Sequence, residues 1–200
     1  KAAGLIAMRI VSGEFRGRRL VAPKGRGVRP TLEKVREAIF DSLGPVFEGA
    51  HVLDLFAGSG AMGFEALSRG AARVVFVDAE QRPVDAINEN ARLLGVNQSR
   101  MSILTMTAEN AIRRLSQSGS SFDVVFVDPP WESGLYEQVM LALSLSGVVR
   151  PGGIVVVEHS RRFPVEAVYG PLIQKKDRQY GDTCVAYFHR PVPVSPGENS

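Results

Sequence analysis

The sequence predicts an open α/β domain: a seven-stranded, mostly parallel sheet with helices on both faces, preceded by a small β-hairpin. Three observations carry this expectation. Short apolar runs of strand length recur along the chain and alternate with longer stretches of helical periodicity. The first of the buried-type runs, within His51-Val52-Leu53-Asp54-Leu55-Phe56, passes straight into the glycine-rich turn Ala57-Gly58-Ser59-Gly60. Two later runs close on aspartates, Asp78 and Asp128. With 200 residues and 44% hydrophobic content, the chain can bury an ample core as one compact domain.

Residues 1–7 precede Met8 and are set apart as an added or upstream extension. Residues 8–30 read as a basic extension. Met8 to Val21 form a strand, a turn at Gly13 or Gly17, and a second strand; a Gly/Pro/Arg loop follows from Pro23 to Pro30. Thr31 is a candidate N-cap for a helix from Leu32 to Leu43, with Leu32, Val35, Ile39, Phe40 and Leu43 as its apolar stripe. Residues 31–190 then read as the main domain. Its strands are expected at 52–56, Arg73–Asp78, Met101–Met106, Phe122–Val127 and Ile154–Glu158. Helices are expected after the glycine turn, at Ala79–Leu94 with Gly95 as stop, Asn110–Gln117 and Gly134–Leu145, and weakly over Phe163–Gly170. Arg150-Pro151-Gly152-Gly153 reads as a turn. Leu172–Tyr180 and Thr183–Arg190 read as an antiparallel pair joined near Gly181-Asp182, and residues 191–200 as a disordered tail.

Charge is unevenly placed. Residues 1–40 hold ten basic and three acidic residues, a net +7, so the other 160 carry −4 of the total +3. A basic segment on a mildly acidic domain is the footprint of a polyanion partner. The alternative is a solvated charged face. Arginine outnumbers lysine here and is interleaved with glycine, so nucleic-acid contact is expected from Arg9, Arg16, Arg18, Arg19, Arg26 and Arg29. The single cysteine, Cys184, excludes an internal disulfide and reads as an ordinary small strand residue. His51, His159 and His189 have no metal-ligand spacing, so no metal is expected. No stretch approaches the ~20 apolar residues of a membrane span and no signal-peptide pattern opens the chain, so a cytoplasmic protein, monomeric by default, is expected.

Gly58-x-Gly60-x-x-Gly63 formally matches a dinucleotide fingerprint, which keeps a nicotinamide oxidoreductase in view. Two acids disfavour a pyrophosphate. Asp54 precedes the loop, where a carboxylate repels phosphates and welcomes a cation. Asp78, 18 residues after Gly60, ends the next strand at the position that holds ribose hydroxyls. An acidic loop plus a ribose acid fits a cationic nucleoside, S-adenosylmethionine. The alternative for Asp54 is that it caps the following turn. Further along, Asp128-Pro129-Pro130-Trp131 presents carbonyl and carboxylate acceptors on a stiff loop beside an aromatic face. That suits an exocyclic amine on a nucleobase, held by both its hydrogens while the base stacks. The alternative is a strand terminator with Trp131 in the core.

Asp128-Pro129-Pro130-Trp131 resembles the signature of amino-directed methyltransferases. HVLDLFAGSGAMGFEALSRGA, with MRIVSGEFRGRRL and RPTLEKVREAIF, resembles the bacterial small-subunit ribosomal RNA guanine-N2 methyltransferase family over roughly Met8 to Arg190. The resemblance implies a Rossmann-like class I methyltransferase fold and methylation of a guanine N2 amine in 16S ribosomal RNA, at guanine 966. The substrate would be RNA in the small subunit or its assembly intermediate. It implies that Asp54, Phe56, Ala57, Gly58, Ser59, Gly60, Asp78, Ala79, Ala108, Glu109 and Thr31 surround the cofactor, with Arg29-Pro30-Thr31 close to it. Glu109 either contacts the adenine or merely opens the next helix. Asp128, Pro129, Pro130 and Trp131 would act on the amine, and a substrate-side loop would lie near Glu132-Ser133-Gly134. A DNA adenine-amine methyltransferase and a non-catalytic RNA-binding module on the same fold are the rivals.

Overall fold

The computed structural model describes residues 8–23, 30–130 and 134–193, with side chains of the first helix from residue 33 onward. The chain opens with β1 (Met8–Arg9) paired antiparallel to β2 (Arg19–Leu20), Met8 opposite Leu20 and Arg9 opposite Arg19. Then come α1 (Pro30–Leu43), a 3-10 turn at Gly44–Phe47, β3 (His51–Leu55), α2 (Ala61–Ser68), β4 (Arg73–Asp78), α3 (Gln81–Leu94) and β5 (Met101–Thr105). They are followed by α4 (Ala108–Gln117), β6 (Phe122–Val127), α5 (Leu135–Leu145), β7 (Val149–Ser160), β8 (Val168–Tyr169), β9 (Leu172–Tyr180) and β10 (Thr183–His189).

One sheet takes the order β5-β4-β3-β6-β7-β10-β9-β8. β3 to β7 are parallel, and β10 runs antiparallel to both β7 and β9. Alternation along the strands divides the core. Val52, Val74, Phe76, Val124, Phe126 and Val156 meet α1, α2 and α3 on one face. Leu53, Leu55, Val75, Val77, Val125 and Val127 meet α4 and α5 on the other. Strands buried on both faces explain why these segments read as continuous apolar runs. Order reverses between β3 and β6, and ligands of open α/β sheets sit at such a reversal, outside the carboxyl ends of the strands.

Several expectations are corrected. The sheet has eight strands, not seven, because 163–170 is not helical. Pro164 interrupts that segment, and Val168 and Tyr169 pair with Ile173 and Leu172 across a Gly170-Pro171 turn. Helix α1 begins at Pro30, so Thr31 lies inside it and does not cap it; proline at a first helical position needs no donor and already has helical φ. Helix α4 begins at Ala108, with Thr107 as its cap accepting the Asn110 N–H at 3.4 Å. The turn at 150–153 lies inside β7: pairing with β6 jumps from Phe122–Val149 to Val124–Ile154, and the extra residues form a bulge. Of the expected tail at 191–200, residues 191–193 are exposed and irregular and 194–200 lie outside the described residues, as does the leader at 1–7.

The N-terminal hairpin pairs over only two residues because its backbone bonds to the main domain. Glu65, wholly buried on α2, accepts the N–H groups of Val11 and Ser12 at 2.8 and 3.1 Å. Ser68 accepts the Phe15 N–H through its hydroxyl and the Glu14 N–H through its carbonyl, both at 2.8 Å. Gly13 lies so close that a Cβ would stand 1.7 Å from the Ser68 oxygen. Ile10, Phe15 and Leu20 fill the first core, each burial stabilising by about 1.5–3 kcal/mol.

Candidate functional site

At the reversal, β3 ends at Leu55 and the chain turns through Phe56, whose φ of +62° is left-handed backbone that a non-glycine residue holds at a cost of roughly 1–3 kcal/mol. The turn beyond it is fixed by two backbone bonds. Ala57 N–H donates to the Val77 carbonyl at 2.9 Å, and Gly60 N–H donates to the Ala57 carbonyl at 2.7 Å. Gly58 stands at the crest with φ +57°, where a Cβ would meet only the Phe56 carbonyl oxygen, at 3.9 Å. Gly63 has a different reason: a Cβ there would meet the Phe76 ring at 2.2 Å, so α2 packs on β4 only with glycine at that point.

Three carboxylates gather at this edge. Asp54, 3% exposed, accepts the Gly63 N–H at 2.9 Å, so it does cap the start of α2. Burial pushes its carboxyl up to about 7, with Asp128 and Asp78 adding to the rise and the Gly63 bond opposing it. Asp78 is half-buried and ties two loops together, accepting the Gly58 N–H at 2.9 Å and the Glu80 N–H at 3.0 Å. Ala79 beside it is exposed. Asp128 is exposed, Pro129 buried and Pro130 exposed. Trp131 lies outside the described residues.

Two groups at this edge were not legible in the sequence. Tyr136, from α5, donates its hydroxyl to the Pro129 carbonyl at 3.4 Å. Glu158 follows Val157, which pairs with Val127, so it stands beside Asp128 on the adjacent strand. Burial, then the Asp128 charge, pushes its carboxyl up to about 8. The same neighbours, after burial, raise the Tyr136 phenol. The available signal for Glu158 was an acid closing the apolar run 154–157.

Ser59 is buried and its hydroxyl donates to the Met8 sulfur at 3.8 Å. Its carbonyl accepts from Asn90 of α3 at 2.9 Å. Asn90, wholly buried, also accepts the Val21 N–H at 2.7 Å and donates to the Val21 carbonyl at 3.0 Å. It therefore joins the glycine loop to the N-terminal extension. An asparagine on the apolar stripe of Ile87, Ala91 and Leu94 was its signal. Ala108 is buried and Glu109 half-buried in the first turn of α4. The Thr31 side chain lies outside the described set.

Of the six arginines read as RNA contacts, Arg9, Arg16 and Arg19 are exposed. Arg18 is exposed as well, but donates to the carbonyls of Leu94 at 2.7 Å and Leu93 at 3.3 Å, closing α3. Arg26 and Arg29 lie outside the described residues. A recess of about 540 Å³ lined by His51, Arg73, Ser102 and Arg114 lies at the opposite ends of the strands, away from the carboxylates.

A parallel series closed by antiparallel strands, with a glycine loop and acids at its reversal, is the class I methyltransferase fold, and S-adenosylmethionine is the methyl donor of that class. Carboxylates for a sulfonium and a ribose, around a loop of bare backbone, fit that donor. The chain belongs to the family described as Conserved hypothetical protein 95, which matches residues 8–189. It is 33% identical to the Bacillus subtilis (strain 168) protein YlbH over 183 residues, covering 92% of this chain and 99% of that one. It is 38% identical over 151 residues to the Escherichia coli (strain K12) protein named Ribosomal RNA small subunit methyltransferase D, covering 76% and 74%. The solved structure of the Escherichia coli protein yhhF superposes with a TM-score of 0.81 at 27% identity, over 94% of this chain and 99% of that one. Among the described residues, no helix is long and apolar enough to cross a membrane.

Proposed function

We propose that this chain is an S-adenosylmethionine-dependent methyltransferase acting on the exocyclic N2 amine of a guanine in small-subunit ribosomal RNA, with guanine 966 as the position. The observation that carries the reading is the placement of Asp128-Pro129-Pro130 beside Asp54 at the sheet reversal, together with the Escherichia coli relative's name. Bound S-adenosylmethionine supplies an electrophilic methyl on a sulfonium. Around it, Asp54 provides negative charge, the 56–60 backbone a close approach, Asp78 acceptors for ribose hydroxyls, and Ala79, Ala108, Glu109 and Thr31 the remaining wall.

The Asp128 carboxylate and the Pro129 carbonyl accept the two amine hydrogens and fix the nitrogen's direction. A carbonyl has two lone pairs, so Pro129 can accept from the amine while Tyr136 holds it. Positioning of this kind supplies most of the acceleration. Trp131 stacks on the base. The proton leaving the alkylated amine passes to the neighbouring Asp128 carboxylate and on to solvent. Arg9, Arg16 and Arg19, with Arg26 and Arg29, dock RNA backbone in the small subunit or its assembly intermediate.

The test is transfer of labelled methyl to small subunits lacking guanine-N2 methyl groups, with Asp128→Ala as control. Label on one guanine amine, lost in the control, is expected. Label on adenine or DNA, or no label despite cofactor binding, overturns the reading.

A further inference from the structure

We propose that His159, Asp177 and Cys184 form a binding site for a divalent metal of the zinc class, on the antiparallel end of the sheet. The site does not rest on the methyl-transfer reading. Sequence spacing had suggested no metal, because the three residues sit on three separate strands. Register brings them together. His159 of β7 lies opposite Cys184 of β10, and Cys184 lies opposite Gln179 of β9. Asp177, two residues from Gln179, therefore shares their face and stands diagonal to Cys184. Their ligand atoms all lie within 4.8 Å of one another.

The second observation is the imidazole itself. His159 is 2% exposed, and its Nδ1 lies 3.2 Å from the Ser160 carbonyl, which can only accept. In the tautomer that donates from Nδ1 to this carbonyl, Nε2 presents a lone pair. That atom is buried with no hydrogen-bond partner. It faces a carboxylate oxygen of Asp177 at 3.9 Å. An acceptor, a carboxylate and a thiol thus converge on one point, the donor set of a metal site. A carbonyl orienting the distal ring nitrogen is also how metal-ligating histidines are held.

Ligand chemistry selects the metal. Imidazole, thiolate and carboxylate together suit zinc and its borderline-soft neighbours, whereas calcium and magnesium take oxygen ligands. Metal bonds of roughly 2.0–2.3 Å require the donors to close by about 1 Å. Asp177, with its side chain 47% exposed, is free to swing inward, and solvent can complete a tetrahedron from that side. Binding would release the Cys184 thiol proton to solvent and form the metal–sulfur bond, with no change of oxidation state.

The test uses the full chain, stripped with chelator and kept reduced, then titrated with zinc alone against a competing indicator, and separately with cobalt. One equivalent per chain is expected, with a cobalt–thiolate charge-transfer band. The band should vanish in Cys184→Ser, and zinc affinity should fall about tenfold or more in His159→Gln and Asp177→Asn. Asp177 is exposed, so its variant folds irrespective of metal. Absence of stoichiometric uptake, or uptake that all three variants leave unchanged, overturns the site. So does an imidazole shown by NMR to carry both protons at neutral pH in the presence of zinc, which would make the contact with Asp177 a plain ion pair.

Discussion

Asp54 is a buried acid next to two others, and its titration carries two predictions. Its carboxyl titrates near 7 in the folded chain against 3.8 for an ordinary aspartate, so the folded state holds a proton that the unfolded state has already lost. Glu158 behaves alike, from 4.5 to about 8. Both contributions favour folding at low pH and are lost as pH rises through those windows. Chemical denaturation should therefore show stability falling between roughly pH 4 and pH 8, and Glu158→Gln should flatten the upper part of that fall. A curve that is unchanged in the variant would mean Glu158 is solvated. Second, a cationic ligand favours the ionised Asp54, so S-adenosylmethionine should bind more tightly as pH rises through about 7. Calorimetry in buffers of different ionisation heat should detect the released proton, and Asp54→Asn should abolish both effects. At this scale the sequence showed Asp54 because it interrupts an apolar run just before the glycine turn, and Asp78 and Asp128 because each follows such a run. Glu158, Tyr136 and the His159 cluster depend on which strand lies beside which, and no local pattern encodes that.

The elements were legible where periodicity and glycine agreed, as at β3, β4, β6 and α3. They were misread where one competing rule dominated. Helix α1 begins at Pro30 and not at Leu32 behind a Thr31 cap, the short 168–169 strand is too brief to show a period, and a bulge hides 150–153 inside β7. The contact between α2 and β4 can be tested directly. Gly63→Ala places a methyl against the Phe76 ring and should destabilise by about 1–3 kcal/mol, read as a lower Tm. Asn90→Ala removes the partner of the buried Ser59 carbonyl and of the part-buried Val21 N–H and carbonyl. A loss of about 1–3 kcal/mol is expected, with weaker cofactor binding because the Ser59 turn loosens. Equal loss of stability with cofactor affinity intact would confine Asn90 to the core.

For the whole molecule, charge asymmetry was visible in the sequence, but not which arginines face outward. Replacing Arg9, Arg16 and Arg19 together by Ala should weaken RNA binding and reduce its salt slope by about 2 to 3 units. Arg18→Ala should act mainly on the stability of α3, whose last carbonyls it bonds. Equal effects of both changes on the salt slope would refute this division of labour.

The N-terminal hairpin is held by Glu65, Ser68 and Asn90 and by hardly any strand pairing of its own. It is accordingly not a portable tag. Transplanted to another methyltransferase without those three side chains, its arginines would arrive on a loose chain. Drift in RNA specificity among homologous proteins should then be limited by the residues beneath the arm as much as by those on it.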